Sequence, residues 1–179
     1  RFLIHKETLI EEHVVGIPGE QFIKTRLNDI DLNKIRLTKE FVKFNERCFV
    51  RLLGDMNSSN FVIDITPDFE EISYRLRAID FDQQSYEGRK SIYLPKYFKE
   101  NNPIIKLGFG LMTSETVQQY QREERSLMAN RIKSSQDQVN ELIATMKMDP
   151  IAPKENVKSL SRELSAFYED KDFLTCSSM

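Results

Sequence analysis

Two short apolar runs rich in β-branched residues, 2–5 and 8–15, flank a Lys6-Glu7 turn and predict a hairpin that ends at Gly16-Ile17-Pro18-Gly19, a cluster with the character of a hinge. A helical period then takes over. Leu37, Phe41, Phe44 and Cys48 recur at spacings of four, three and four, which predicts a helix capped by Asp31 with one face turned to a core. This helix is expected to run out near Arg47, and 48–53 is short and apolar enough to form a buried strand leading into Gly54. The polar stretch Asp55-Met56-Asn57-Ser58-Ser59-Asn60 reads as a loop held between ordered neighbours. Beyond it 61–65 is strand-like, Thr66-Pro67-Asp68 marks a turn, and 74–79 alternates with period two. The two strands are expected to pair as a hairpin that delivers Asp80-Phe81-Asp82 at its end.

From 83 to 112 the pattern is broken by Gly88, Pro95, Pro103, Gly108 and Gly110, so loops and short helices are expected. Val117, Tyr120, Leu127, Met128, Ile132, Val139, Leu142, Ile143 and Met146 then suit a helix, or two broken near Ser134-Ser135, ended by Pro150 and Pro153. Val157, Leu160, Leu164 and Phe167 signal a final helix with Pro153 near its first turn, followed by a polar tail. No internal repeat is visible.

Length and composition set the class. A chain of 179 residues with 40% hydrophobic content falls in the range of one domain with a real core. Charge is mixed in sign and nets to −2, which gives no basic stripe for nucleic acid or an anionic membrane. Cys48, in the run Cys48-Phe49-Val50, reads as a buried thiol far in sequence from Cys176, so a reducing compartment is expected. The apolar runs are too short to span a bilayer and the first residues do not form a signal peptide; the expectation is a soluble, cytoplasmic protein with no membrane insertion. The chain starts on Arg1 inside an apolar segment, as a fragment of a longer product would.

The chemistry-bearing residues lie in two places. Gly54-Asp55 is followed by Asn60 five residues on, and the second hairpin ends in Ile79-Asp80-Phe81-Asp82. Carboxylate and amide oxygens suit Mg²⁺, which leaves positions for phosphate and water. A further carboxylate can orient an acceptor hydroxyl and take its proton. Phosphoryl transfer asks a protein for little beyond such positioning and charge neutralisation.

In this order the residues resemble the catalytic and metal-binding loops of the protein-kinase-like superfamily, which includes protein kinases, aminoglycoside phosphotransferases, phosphoinositide kinases and toxin-type serine kinases. The resemblance covers about the first half of the chain. It implies that Asp55 is the catalytic-loop aspartate, that Asn60 and Asp80 hold metal, and that Asp82 is an auxiliary ligand. It likens 8–15 and Gly16-Ile17-Pro18-Gly19 to the last small-lobe strand entering the hinge, which makes Glu12, His13 and Val14 cofactor-binding positions. The implied fold is α+β and mainly helical, a kinase-like C-terminal lobe over 20–179 with a small β-hairpin remnant at 1–19. The implied cofactors are ATP and Mg²⁺, and the implied partners are the nucleotide and a hydroxyl-bearing acceptor of unknown identity.

This sequence departs from the family pattern in several places. No Gly-rich phosphate loop and no strand lysine precede the hinge, so the chain alone is expected to be inactive or very weak. Leu53-Gly54 replaces the His-Arg that precedes the catalytic aspartate in protein kinases and is closer to the small-molecule and lipid branches. Asp82 stands where protein kinases place Gly, and no Ala-Pro-Glu follows. Two rival readings remain: a non-catalytic, pseudokinase-type binding module, and a helical partner-binding domain with a chance Asp/Asn pattern.

Other motifs have plainer explanations. Gly108-Phe109-Gly110 lacks the strand and remaining glycine of a nucleotide loop and reads as an ordinary loop. His5 and His13 lack partners at zinc spacing. Arg89-Lys90 reads as a solvated pair, and Glu123-Glu124 with its flanking arginines as an exposed helix face with local ion pairs.

Overall fold

The computed structural model describes residues 2–5, 8–11, 13–68, 71–148 and 151–176, with backbone alone for 2–5, 8–11 and 68. It is an α+β fold, mainly helical, with small antiparallel sheets. Strands β1 (Phe2–His5) and β2 (Thr8–Glu11) pair with His5 opposite Thr8, which is the expected opening hairpin. The second strand ends at Glu11 and does not continue to 15, where the backbone is irregular and His13 and Val15 are exposed.

The segment read as a hinge is built into a sheet. Ile17–Pro18 forms β3 and pairs with Ile63 and Val62 of β4 (Phe61–Asp68), which in turn pairs with β5 (Glu71–Ala78). Gly16 has φ 156 and lies so close to β4 that a Cβ there would meet the Val62 side chain at 2.9 Å, so glycine is required on two counts. The expected turn at Thr66-Pro67-Asp68 is strand instead: pairing runs on to Asp68 opposite Glu71. Pro67 is tolerated because β3 reaches only 62–63, leaving that side of β4 an open edge where no ladder donor is needed.

Helix α1 (Gly19–Thr25) was not foreseen; it buries Phe22 fully, and the Glu20 amide donates to the Ser58 carbonyl at 2.8 Å. Helix α2 (Lys34–Val50) is capped by Asn33, whose Oδ1 accepts from the Arg36 amide at 3.1 Å, not by Asp31. It absorbs the expected strand at 48–50, because Cys48 and Phe49 extend the buried face that Leu37, Phe41 and Phe44 begin. The left-handed Leu52 (φ 48) then breaks the helix, and the Leu53 amide returns to the Cys48 carbonyl at 2.9 Å. That buried face and the sheet form the core, with Phe22, Phe61, Ile63, Leu76 and Ile104 around the Phe44–Phe61 edge-to-face contact.

Three short 3₁₀ turns between Lys90 and Asn101 lead to α3 (Asn102–Phe109), as the broken pattern predicts. Gly108-Phe109-Gly110 is the end of α3 and its cap, not a free loop: the buried Gly108 abuts Thr38 of α2. Helices α4 (Ser114–Ser134) and α5 (Gln136–Met148) break at Ser135, where they were expected to. The Glu123-Glu124 face is not a local ion-pair surface. Glu124 is buried and accepts from Arg47 of α2 at 3.3 Å, while Glu123 pairs with Lys43 at 3.2 Å. Helix α6 (Lys154–Tyr168) closes a second core of Phe49, Tyr93, Leu94 and Leu160. Nor is Lys90 simply solvated, since its amide donates to Glu163 at 2.7 Å and its ammonium lies over the Phe167 ring. No described helix is long and apolar enough to cross a membrane.

Candidate functional site

The 55–60 loop is held from three directions. Its start follows directly from the end of α2, and the Asp55 amide donates to the Ile92 carbonyl at 3.1 Å. Its middle is gripped by Asn101, a fully buried side chain whose Nδ2 donates to the Met56 and Pro95 carbonyls at 3.0 and 2.7 Å. Its end runs into β4 at Phe61, one residue after Asn60. With neighbours this fixed, the loop displays side chains in a set geometry although it has no regular structure.

Asp55 is half-buried and left-handed at φ 53, a conformation Asp and Asn tolerate better than most residues. Asn60 turns its amide back on it: Nδ2 donates to the Asp55 carbonyl at 2.8 Å and lies 3.5 Å from Oδ2. Asn60 Oδ1 therefore faces away from that carbonyl and accepts from the Ser59 hydroxyl at 3.3 Å. Asn57, to which the sequence motif gives no role, also binds Asp55, with Nδ2 at 3.2 Å from Oδ1. Asx side chains folding back on a turn are common, and that local signal was available.

The second loop sits beside the first. The Ile79 amide donates to the Asn60 carbonyl at 3.0 Å, continuing the β4–β5 register one step past Phe61 and Ala78, so Asp80 leaves the strand next to Asn60. Asp80 Oδ1 accepts from the Asp82 amide at 3.3 Å in a tight turn; Asp80 is half-buried and Asp82 exposed. The turn then comes back onto α2's end through Ser85 N to Leu52 O at 2.9 Å and Gln84 Nε2 to Arg51 O at 3.2 Å. Gly54 makes this closure possible, since a Cβ there would stand 2.5 Å from the Gln83 carbonyl. The residues 54–60 and 79–85 thus form one polar corner.

Among the described residues no Lys or Arg forms an ion pair with Asp55, Asp80 or Asp82. Nor do any three Asp, Glu, His or Cys side chains gather as metal ligands. The donor set of one or two carboxylates and an amide oxygen still suits Mg²⁺, which takes few protein ligands and keeps the rest for water and phosphate. It does not suit a structural zinc. Of the three positions expected to bind the cofactor, Glu12 lies outside the described residues; His13 is exposed and Val14 half-buried. A cleft of about 460 Å³ is lined by Asn57, Ser58 and Ser59 with α1 residues, and Asp55, Asn60 and Asp80 do not line it.

No protein-family model, no curated protein and no solved structure matches the chain.

Proposed function

We propose that this chain carries the catalytic lobe of a Mg²⁺-dependent, kinase-like phosphotransferase that moves the γ-phosphoryl group of ATP to a hydroxyl acceptor. The observation that carries the reading is the double link Asp55 O to Asn60 Nδ2 and Asn60 O to Ile79 N, which sets an acceptor carboxylate, an amide oxygen and a second carboxylate on adjoining loops. In this reading Asp55 orients the acceptor hydroxyl and takes its proton. Asn60 Oδ1 and the Asp80 carboxylate hold the metal, with Asp82 in support. The metal, when bound, neutralises charge on the transferred phosphoryl group.

A second reading is a non-catalytic nucleotide-binding module of the same fold, in which the same loops bind without turnover. Thermal unfolding of the natural protein, with and without Mg²⁺ and ATP and beside Asp80→Asn, tests the proposal. Ligand at a hundred times its dissociation constant adds about 2.7 kcal/mol, enough to move the midpoint by several degrees. The expected result is a shift that requires Mg²⁺, disappears in Asp80→Asn, and is accompanied by phosphoryl transfer. A shift without turnover moves the assignment to the binding module; no shift, or an equal one in the variant, sinks the metal assignment.

A further inference from the structure

We propose that the buried Glu40–Arg47 pair on α2 is a positioning clamp, holding the free edge of β5 at Leu76 and thereby setting where Asp80 stands relative to the Asp55 loop. Its functional meaning rests on the phosphotransferase reading, and its mechanics on the hydrogen bonds that Glu40 and Arg47 make to Leu76.

Among the described residues, strand β5 pairs with β4 on one side and with no strand on the other. Leu76 is 2% exposed, so the backbone groups it turns away from β4 have no water to bind and need partners. Glu40 Oε1 accepts from the Leu76 amide at 3.0 Å, and Arg47 Nη2 donates to the Leu76 carbonyl at 3.2 Å. The two side chains also bind each other at 2.5 Å. They lie seven residues apart, two turns of one helix face, and together stand in for one residue of a missing neighbour strand. Arg47 Nη1 reaches Glu124 of α4 at 3.3 Å, and Arg75 Nη1 lies 3.8 Å from Glu40, so two anions and two cations balance.

Stability alone is a poor account of this arrangement. Desolvating such charges costs about as much as their attraction returns, and apolar replacements of similar volume are often neutral or better. What the pair supplies is register. An apolar contact lets a strand slide along a helix; two directional bonds to a single residue do not. Asp80 follows Leu76 by four residues, and Asp55 follows Arg47 by eight through the Leu52 break. The clamp therefore joins the two stretches of chain whose ends carry the proposed metal ligand and the proposed base. Arginine is required because one guanidinium fork serves three acceptors, which a lysine ammonium cannot do in that geometry.

Glu46→Gln is the matched control. Glu46 is equally buried on α2 and binds Gln121 at 2.8 Å and Arg125 at 2.6 Å, both on α4, with no bond to β5. In the natural protein, Arg47→Lys is expected to speed amide hydrogen exchange selectively from Leu76 to Asp82. At saturating ATP it is expected to raise the Mg²⁺ concentration for half-maximal stabilisation by about 10- to 100-fold, the range for residues that orient a metal's ligands. Glu40→Gln keeps an oxygen for the Leu76 amide and is expected to show a smaller change of the same kind, which covers the case where Arg47→Lys folds poorly. Glu46→Gln is expected to change neither readout. Equal changes in the control, unchanged exchange at 76–82, or altered exchange with unaltered Mg²⁺ dependence would each overturn the clamp. A wild-type protein with no Mg²⁺·ATP shift overturns the phosphotransferase reading instead, and exchange alone then decides whether the pair holds β5.

Discussion

Asn60 holds the carbonyl of Asp55 through its side-chain amide at 2.8 Å, closing the six-residue loop 55–60 on itself. The bond makes the loop's shape depend on Asn60 being a donor. Asn60→Asp substitutes an acceptor that faces the Asp55 carbonyl and carboxylate, and it is expected to destabilise the fold by about 1–3 kcal/mol. The change should appear as a lower denaturant midpoint at constant slope. Asn60→Ala loses the bond without the repulsion and should fall between the variant and wild type.

Two glycines are expected to respond in opposite ways to the same substitution. Gly54→Ala drives a methyl group to 2.5 Å from the Gln83 carbonyl, a backbone atom that cannot yield cheaply, so the cost is expected to be about 1–3 kcal/mol. Gly110 meets nothing within 4 Å and has φ −91, so Gly110→Ala is expected to gain about 0.4–1 kcal/mol by restricting the unfolded chain. Paired thermal melts distinguish the two signs.

The two thiols of this chain should react differently. Burial pushes Cys48 up to about 12, while Cys176 is exposed. A thiol-specific chromogenic reagent is expected to titrate one group in the folded chain and two in denaturant.

Cys48 also predicts an alkaline limb in stability. Its thiol stays protonated in the fold to about 12 but ionises near 9.0 when unfolded. The contribution is whole below pH 9, and above it the unfolded state releases the proton first, so stability falls by about 1.4 kcal/mol per pH unit. Burial likewise raises Tyr93 from 10.0 to about 12, adding a second loss that starts one unit later. Denaturant titrations from pH 8 to 11 should show a slope that Cys48→Ala reduces, although that variant is less stable throughout because of the cavity it leaves.

Asn101 pins the site loop from beneath, and its Oδ1 is buried without a partner among the described residues. Asn101→Ala leaves the Met56 and Pro95 carbonyls bare, at about 1–3 kcal/mol each if water does not enter. A denaturant midpoint that does not move would show that water replaces the amide.

The sequence made the second hairpin legible because 74–79 alternates with period two beside the strand-like run 61–65, and it made the α4–α5 break legible because Ser134-Ser135 interrupts a long helical period. Helix α1 escaped because seven residues with two adjacent apolar positions, Phe22 and Ile23, make no period. Residues 48–50 were misassigned because a short apolar run looks the same as a helix end or a buried strand. The order Asp55, Asn60, Asp80 was visible along the chain. What fixes their relation was not: Glu40 with Leu76 spans 36 residues, Asn101 with Met56 spans 45, and Arg47 with Glu124 spans 77. Nothing in the local neighbourhood of Glu124 distinguishes a surface glutamate from one that meets a distant arginine.

The left-handed backbone at Asp55 divides the amino acids into two overlapping sets. Folding alone admits those that accept such a torsion without a bulky Cβ branch, chiefly Gly, Asn and Asp. The proposed proton transfer admits those with a carboxylate. Their intersection has one member, so on the proposed function a library of the natural protein randomised at this codon should give three common survivors when sorted for soluble expression and a single one when sorted for turnover. Asparagine, present in the first harvest and missing from the second, would be the molecule's own separation of shape from chemistry.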